Sequence, residues 1–228
     1  MMFGKRNTLH EKLYHDEEGR LKERIHILDR KWEGEYVSYF SNGQEMVRMQ
    51  FHQGRREGEA VSYYHNGRLR EKATFVNDRL EGDYVCYYET GQLRESEHYR
   101  SGLLDGVYRM YYRNGQLKDE ENFRGGKFDG PYVSYFKNGQ IKEQGGFIND
   151  KRDGRYVSYW RNGRIRETAT YRNGQLVGKF VMYDESGREI ESFLPSDAPD
   201  GGASEDEQVE LEKRVDDLLK NFSSYEKL

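Results

Sequence analysis

The stretch DGVYRMYYRNGQLKDE, Asp105–Glu120, reads as a strand, a turn and the start of a second strand. Aromatic and β-branched residues fill the first arm, Leu117 opens the second, and Asn114-Gly115 sits between them. An Asn-Gly pair in that setting is the strongest short hairpin signal, because both central residues of a type I′ turn need φ > 0. Neighbouring stretches repeat the reading: EGDYVCYYETGQLRE at Glu81–Glu95 and DGPYVSYFKNGQIKE at Asp129–Glu143.

Working outward, one glycine recurs at Gly34, Gly58, Gly82, Gly106, Gly130, Gly154 and Gly178. A second recurs at Gly19, Gly43, Gly67, Gly91, Gly115, Gly139, Gly163 and Gly187. Both step by 24 residues without insertion or deletion, so the chain is seven tandem copies of a tyrosine-rich hairpin. With the first glycine as position 0, Asn42, Asn66, Asn114, Asn138 and Asn162 stand at position 8, before the second glycine. A second turn falls at positions 19–20, as in Asn77-Asp78, Gly125-Gly126 and Asn173-Gly174. Two strands and two turns per repeat make an antiparallel meander.

A two-residue Asn-Gly loop pairs position 6 with 11, 5 with 12 and 4 with 13, and the second loop pairs 17 with 22. Alternation then puts positions 2, 4, 6, 11, 13, 15, 17 and 22 on one face. That face collects the aromatic rows and is the candidate interaction surface: Tyr36, Tyr84, Tyr108, Tyr132 and Tyr156 at position 2, and Tyr64, Tyr88, Tyr112, Phe136 and Trp160 at position 6. The leucines and isoleucines of position 11 join them. On the other face Arg70, Arg94, Lys118, Lys142 and Arg166 at position 12 stand across from the tyrosines of position 5, a candidate basic face. The carboxylates of position 23 dilute its field. The glycine at position 0 is expected opposite position 15, at a bulge or a bend.

Composition fits a thin sheet better than a globular core: hydrophobic residues are 34 % of the chain, while tyrosines number 19. The expected fold class is all-β, an elongated single-layer meander of about 15 strands and roughly 70 Å, plus one C-terminal amphipathic helix. Residues 1–194 form the array, 195–204 an acidic flexible linker and 205–228 the helix and tail. Ser204 and Glu207 make a capping box. Leu211, Val215, Leu218, Leu219 and Phe222 follow as one apolar stripe. Three docking places are open to that stripe: the sheet end near Phe180, Ile190 and Phe193, a second copy, or a partner.

The pattern resembles the MORN repeat family, in the variant found in YwqK-type antitoxins, over roughly residues 13–194. The resemblance implies a twisted single-layer antiparallel sheet and a role in scaffolding or protein binding. Some members are discussed as binders of anionic lipid.

Catalysis is not expected, because the carboxylates recur in every repeat while an active site is singular. No metal or cofactor is expected either. His26 and His98 share position 16 but stand three repeats apart, too far for one ion. Cys86 is the single cysteine and fills a row that is serine in four other repeats. No signal peptide or transmembrane run is read at the sequence level, so a cytoplasmic setting is the expectation. The function expected is a non-catalytic interaction scaffold, antitoxin-like by resemblance, with a protein partner or self-association. The alternative is binding of anionic membrane lipid or nucleic acid through the Arg/Lys/Tyr face, which salt would weaken steeply.

Overall fold

The computed structural model describes residues 8–195 and Lys213. The chain forms two compact bodies, Met1–Lys127 and Phe128–Leu228. Both are all-β over their described strands, and in each the strands run antiparallel to their sequence neighbours. The first body runs from His10–His15 and Leu21–Leu28 to Gly106–Tyr111 and Leu117–Arg124. The second runs from Gly130–Tyr135 and Ile141–Ile148 to Phe180–Tyr183 and Glu189–Phe193. The meander expected from the period is therefore present. The predicted linker and helix, with the stripe Leu211, Val215, Leu218, Leu219 and Phe222, lie outside the described residues.

The type I′ turn lies at positions 19–20 and not at the Asn-Gly pair, where it is expected. At positions 19–20 each of the first six repeats carries a two-residue loop with both residues left-handed, as in Asn77 (φ +50°) and Asp78 (φ +67°) or Asn149 (+49°) and Asp150 (+68°). This is the type I′ geometry, matched to strand twist. It pairs 17 with 22 as expected, for example Phe75 with Leu80 and Tyr171 with Leu176.

The Asn-Gly site is a different loop. Only the glycine is left-handed, at +84° in Gly43 and +81° in Gly163. The N–H of position 9 donates to the carbonyl of position 6 (Gly115 to Tyr112, 2.9 Å), and position 6 donates to position 10 (Tyr112 to Gln116, 2.8 Å). Three residues thus form the loop, a type I turn closed by a glycine bulge. Asparagine serves it through its side chain, whose Oδ1 accepts the N–H of position 10, at 3.0 Å from Gln44 and 3.1 Å from Gln140.

This corrects the register near the loop. Position 5 pairs with 11, not 12, as in Tyr63 with Leu69 and Tyr111 with Leu117. Position 12 is then an extra residue, and pairing resumes at 4 with 13, as in Cys86 with Glu95. The longer loop shifts the ladder by one and the bulge shifts it back. The rest of the expected register therefore survives.

The position-0 glycine lies opposite position 17 rather than 15: Gly34 faces Phe51 and Gly154 faces Tyr171. Its φ is positive in six of the seven repeats, from +76° at Gly82 to +137° at Gly106. Position 23 donates to the carbonyl of position 16, as Glu81 does to Thr74 at 2.9 Å. Between repeats several residues thus pass one residue of the facing strand. The bend this forces needs a left-handed residue, and glycine takes it without a Cβ clash.

Candidate interaction surface

Position 2 rings pack on position 17 rings. Centroids are 6.2 Å apart for Tyr36 and Phe51, 6.3 Å for Tyr84 and Tyr99, and 6.2 Å for Tyr108 and Phe123, all edge-on. In the second body Tyr132–Phe147 pack tilted at 5.1 Å and Tyr156–Tyr171 edge-on at 6.4 Å. Their cause is the shared face of positions 2, 15 and 17. In the first body the position 2 tyrosines stay half-buried. In the second, Tyr156 belongs to a buried cluster with Ala169, Leu176, Phe180 and Met182, against which Tyr132, Tyr171 and Phe193 pack.

Carboxylates stand among these rings. Glu97 and Glu121 occupy position 15, and burial, then neighbouring carboxylates, pushes both above the usual carboxylate range. Glu97 accepts the Tyr99 hydroxyl at 2.5 Å. Glu121 has no hydrogen bond or ion pair among the described residues. Burial first, then carboxylates, Glu71 ahead of Glu97 at Tyr84 and Glu95 ahead of Glu97 and Glu121 at Tyr108, drive these two phenols upward. In the second body Glu143 accepts the Tyr156 hydroxyl at 2.9 Å, and Glu167 is only 3 % exposed.

The position 6 aromatics form a second row, at the loops. Each begins the three-residue turn, and several fasten one repeat to the next. Tyr64 and Tyr88 donate their hydroxyls to the carbonyls of Tyr87 and Tyr111 at 2.6 and 2.7 Å, and Trp160 Nε1 donates to Tyr183 at 2.9 Å. Arg113 covers Tyr88 and Arg161 covers Phe136, 5.0 and 5.7 Å from the centroids. Tyr112 begins the same turn in its repeat.

The basic row does not stand opposite the position 5 tyrosines. As the bulged residue, position 12 turns to the side of positions 4 and 13, where Lys118 Nζ lies 3.3 Å from Met110 Sδ. There it meets the carboxylate that follows it in sequence. Arg70 is 3.1 Å from Glu71, Arg94 3.3 Å from Glu95, Lys118 3.0 Å from Asp119 and Lys142 3.9 Å from Glu143. Arg166 lies over Trp160, 5.0 Å from the ring. A row of cations so paired projects little net field.

The position 23 carboxylates have a structural role that the sequence reading missed. Four of them accept the first N–H of the following type I′ turn. Glu33 binds Gln53 at 2.8 Å, Glu57 binds Asn77 at 2.8 Å, Glu81 binds Ser101 at 2.6 Å and Asp153 binds Asn173 at 3.0 Å. The signal was an acid fixed directly before a left-handed glycine, twenty residues ahead of the turn. Cys86 is buried, donates toward Glu95 Oε2 at 3.3 Å, and has its thiol pushed up to about 11, chiefly by burial. That favours the unreactive thiol. His26 bonds the Glu35 carbonyl and His98 the Asp83 carboxylate, at 2.9 and 2.7 Å.

Hairpins repeated at a fixed period, and bonded to their neighbours within each body through turns and rings, define a tandem β-hairpin repeat protein. Five segments, residues 56–77, 80–101, 104–124, 128–149 and 152–173, match the family model of the MORN repeat variant. Each match starts at position 22 of one repeat and runs to the type I′ turn of the next. No protein with a curated description matches the chain. Among solved structures, the Tc holotoxin pore of Photorhabdus luminescens (TccC3-D651A mutant) aligns at 12 % identity and a TM-score of 0.19. The alignment covers 77 % of this chain and 13 % of that one. A Bacteroides fragilis protein of unknown function aligns at 7 % identity and a TM-score of 0.12, covering 84 % and 94 %. The chain thus spans about an eighth of the first of these. Among the described residues no helix is long and apolar enough to cross a membrane.

Proposed function

We propose that this protein is a non-catalytic interaction scaffold that binds a protein partner through the half-buried tyrosine rows of its sheet. The observation that carries the reading is the pairing of Arg70, Arg94, Lys118 and Lys142 with Glu71, Glu95, Asp119 and Glu143. It takes the basic row out of competition for phosphate and leaves rings and carboxylates as the distinctive surface. Aromatic side chains are the usual anchors of protein interfaces, since they bury large area at small entropic cost. A cytoplasmic setting fits the single buried thiol. An antitoxin-like role would be one case of such binding, with a toxin protein as the partner.

The test compares Tyr84→Ala/Tyr108→Ala with Arg94→Gln/Lys118→Gln. Partners captured by the intact protein should resist about 0.5 M salt, where charge screening is strong, and be lost from the tyrosine variant only. Loss from the Arg/Lys variant alone, together with salt-sensitive binding to phosphatidylserine vesicles or single-stranded DNA, would replace this reading with the anionic-ligand alternative.

A further inference from the structure

In the second body the face opposite the position 2 tyrosines carries a cavity of about 300 Å³. It is lined chiefly by Pro131, Val133, Gln144, Arg155, Val157 and Tyr159 and is open to solvent on one side. The ladder explains these neighbours. Val133 pairs with Gln144, and Gln144 with Val157, so position 3, position 14 and position 3 of the next repeat stand in one row. Pro131 and Arg155 at position 1, and Tyr159 at position 5, share that face by alternation.

The first body shows why the place is hollow. In two of its repeats position 14 carries a cation that reaches the acid of position 1 over the same row. Lys72 lies 2.6 Å from Glu59, and Arg48 3.7 Å from Glu35. Here proline stands in place of the acid and glutamine in place of the cation. Gln144 turns the other way along the face, donating its Nε2 hydrogen to the Tyr159 hydroxyl at 3.1 Å. Gly146, paired with Pro131, adds no side chain beside it. The substitutions also leave one charge over. Lys179, the next residue of position 1, pairs with Glu189 at 3.4 Å, whereas Arg155 has no hydrogen bond, ion pair or ring contact among the described residues. The cavity thus combines apolar walls with a guanidinium whose donors are unengaged.

We infer that this cavity captures the C-terminal residue of a protein partner, with its carboxylate on Arg155 and an apolar last side chain against Pro131, Val133 and Val157. Ligand pockets run from roughly 300 to 1,000 Å³, so this one is at the small end and suits a single residue. Its open side lets the rest of the chain leave over the sheet. A carboxylate matches the planar fork of arginine with two parallel hydrogen bonds. Only a terminal residue joins a free carboxylate and an apolar side chain on one carbon; Asp and Glu bring the acid without the apolar branch. The site lies on the other face from the tyrosine rows and stands without them.

The probe is fluorescein-labelled Gly-Ser-Gly-Val-Leu with a free C-terminus, titrated by anisotropy against the full chain. Its C-terminal amide removes the charge, and a peptide ending in glycine removes the apolar group. Arg155→Gln removes the guanidinium. Pro131→Glu/Gln144→Lys places across the cavity the pair that Glu59 and Lys72 make in the first body. Expected are binding of the free acid, and affinity about tenfold or more lower for the amide, for the glycine peptide and for either variant, from loss of a charge-assisted or an apolar contact. Circular dichroism verifies that the variants keep the sheet. Arg155 is exposed, so Arg155→Gln alone decides if the double variant does not fold. Tyr84→Ala/Tyr108→Ala should bind the free acid as the intact chain does, which separates this site from the tyrosine rows. The inference is overturned by no binding to the intact chain, by equal binding of the amide or the glycine peptide, by unchanged affinity in either folded cavity variant, or by loss of peptide binding in the tyrosine variant.

Discussion

The Tyr88 hydroxyl donates to the carbonyl oxygen of Tyr111 at 2.7 Å, so a side chain at the loop of one repeat is fixed to the strand end of the next. Tyr64 and Tyr87, and Trp160 and Tyr183, make the same link. Tyr88→Phe keeps the ring and removes the donor, at a cost of about 1 kcal/mol. Because nearest neighbours dominate a repeat array, faster amide exchange should concentrate in residues 88–92 and 111–116. Uniform acceleration throughout the described strands would contradict a local fastening.

Two glycines at the same repeat position should fail for different reasons. Gly82 has φ +76° and no atom within 4 Å of a built Cβ, so its restriction is conformational alone. Gly178 lacks the positive φ, but its Cβ would meet Thr170 Cβ at 3.0 Å. Gly82→Ala should cost about 1–2 kcal/mol, and Gly82→Asn less, since asparagine tolerates the left-handed region. Thr170→Gly, which removes that Cβ, should offset Gly178→Ala. Chemical denaturation of the single and double variants reads both, and equal penalties for Ala and Asn at Gly82 would remove the backbone explanation.

Most of the fold was legible because the 24-residue period is strict and the 17-to-22 pairing follows directly from a two-residue turn. The Asn-Gly turn was misread because the same dipeptide serves two loops: both residues left-handed in type I′, the glycine alone in the three-residue loop. Consecutive opposite charges such as Arg70-Glu71 held the missing clue. In a regular strand they point to opposite faces, and only a bulge at position 12 brings them 3.1 Å apart.

Glu167 should make stability depend on pH. Burial is the largest influence and pushes its carboxyl above the model-compound value of 4.5, against the opposing pull of Arg166, Tyr156 and Arg152, while Glu143 adds to the rise. Its Oε2 has no hydrogen bond. Since the folded value is raised, the contribution to stability is complete below the unfolded value and is lost as pH rises through the folded one. The stability of Glu167→Gln relative to the intact protein should therefore increase as pH is raised from about 4 to about 8. Any constant cost of the amide leaves that slope unaltered. Urea titrations giving a pH-independent difference would show that Glu167 is not perturbed in the fold.

Glu81 should hold a turn that belongs to the next repeat. Its carboxylate accepts the Ser101 N–H at 2.6 Å, and Ser101 opens a type I′ turn with φ +52° ahead of Gly102 at +85°. A turn N–H pointing along the sheet edge has no ladder partner, so it takes either this carboxylate or water. Glu81→Ala should cost about 1–2 kcal/mol, the range for a hydrogen bond to a charged acceptor discounted for exposure. Glu81→Gln keeps the acceptor without the charge and should recover part of the loss. The amide of Ser101 should exchange faster in Glu81→Ala, with smaller change at Asn77, whose N–H is held by Glu57 at 2.8 Å. The opposite order, Asn77 affected more than Ser101, would mean that the position 23 acids act within their own repeat and do not hold the turn of the next.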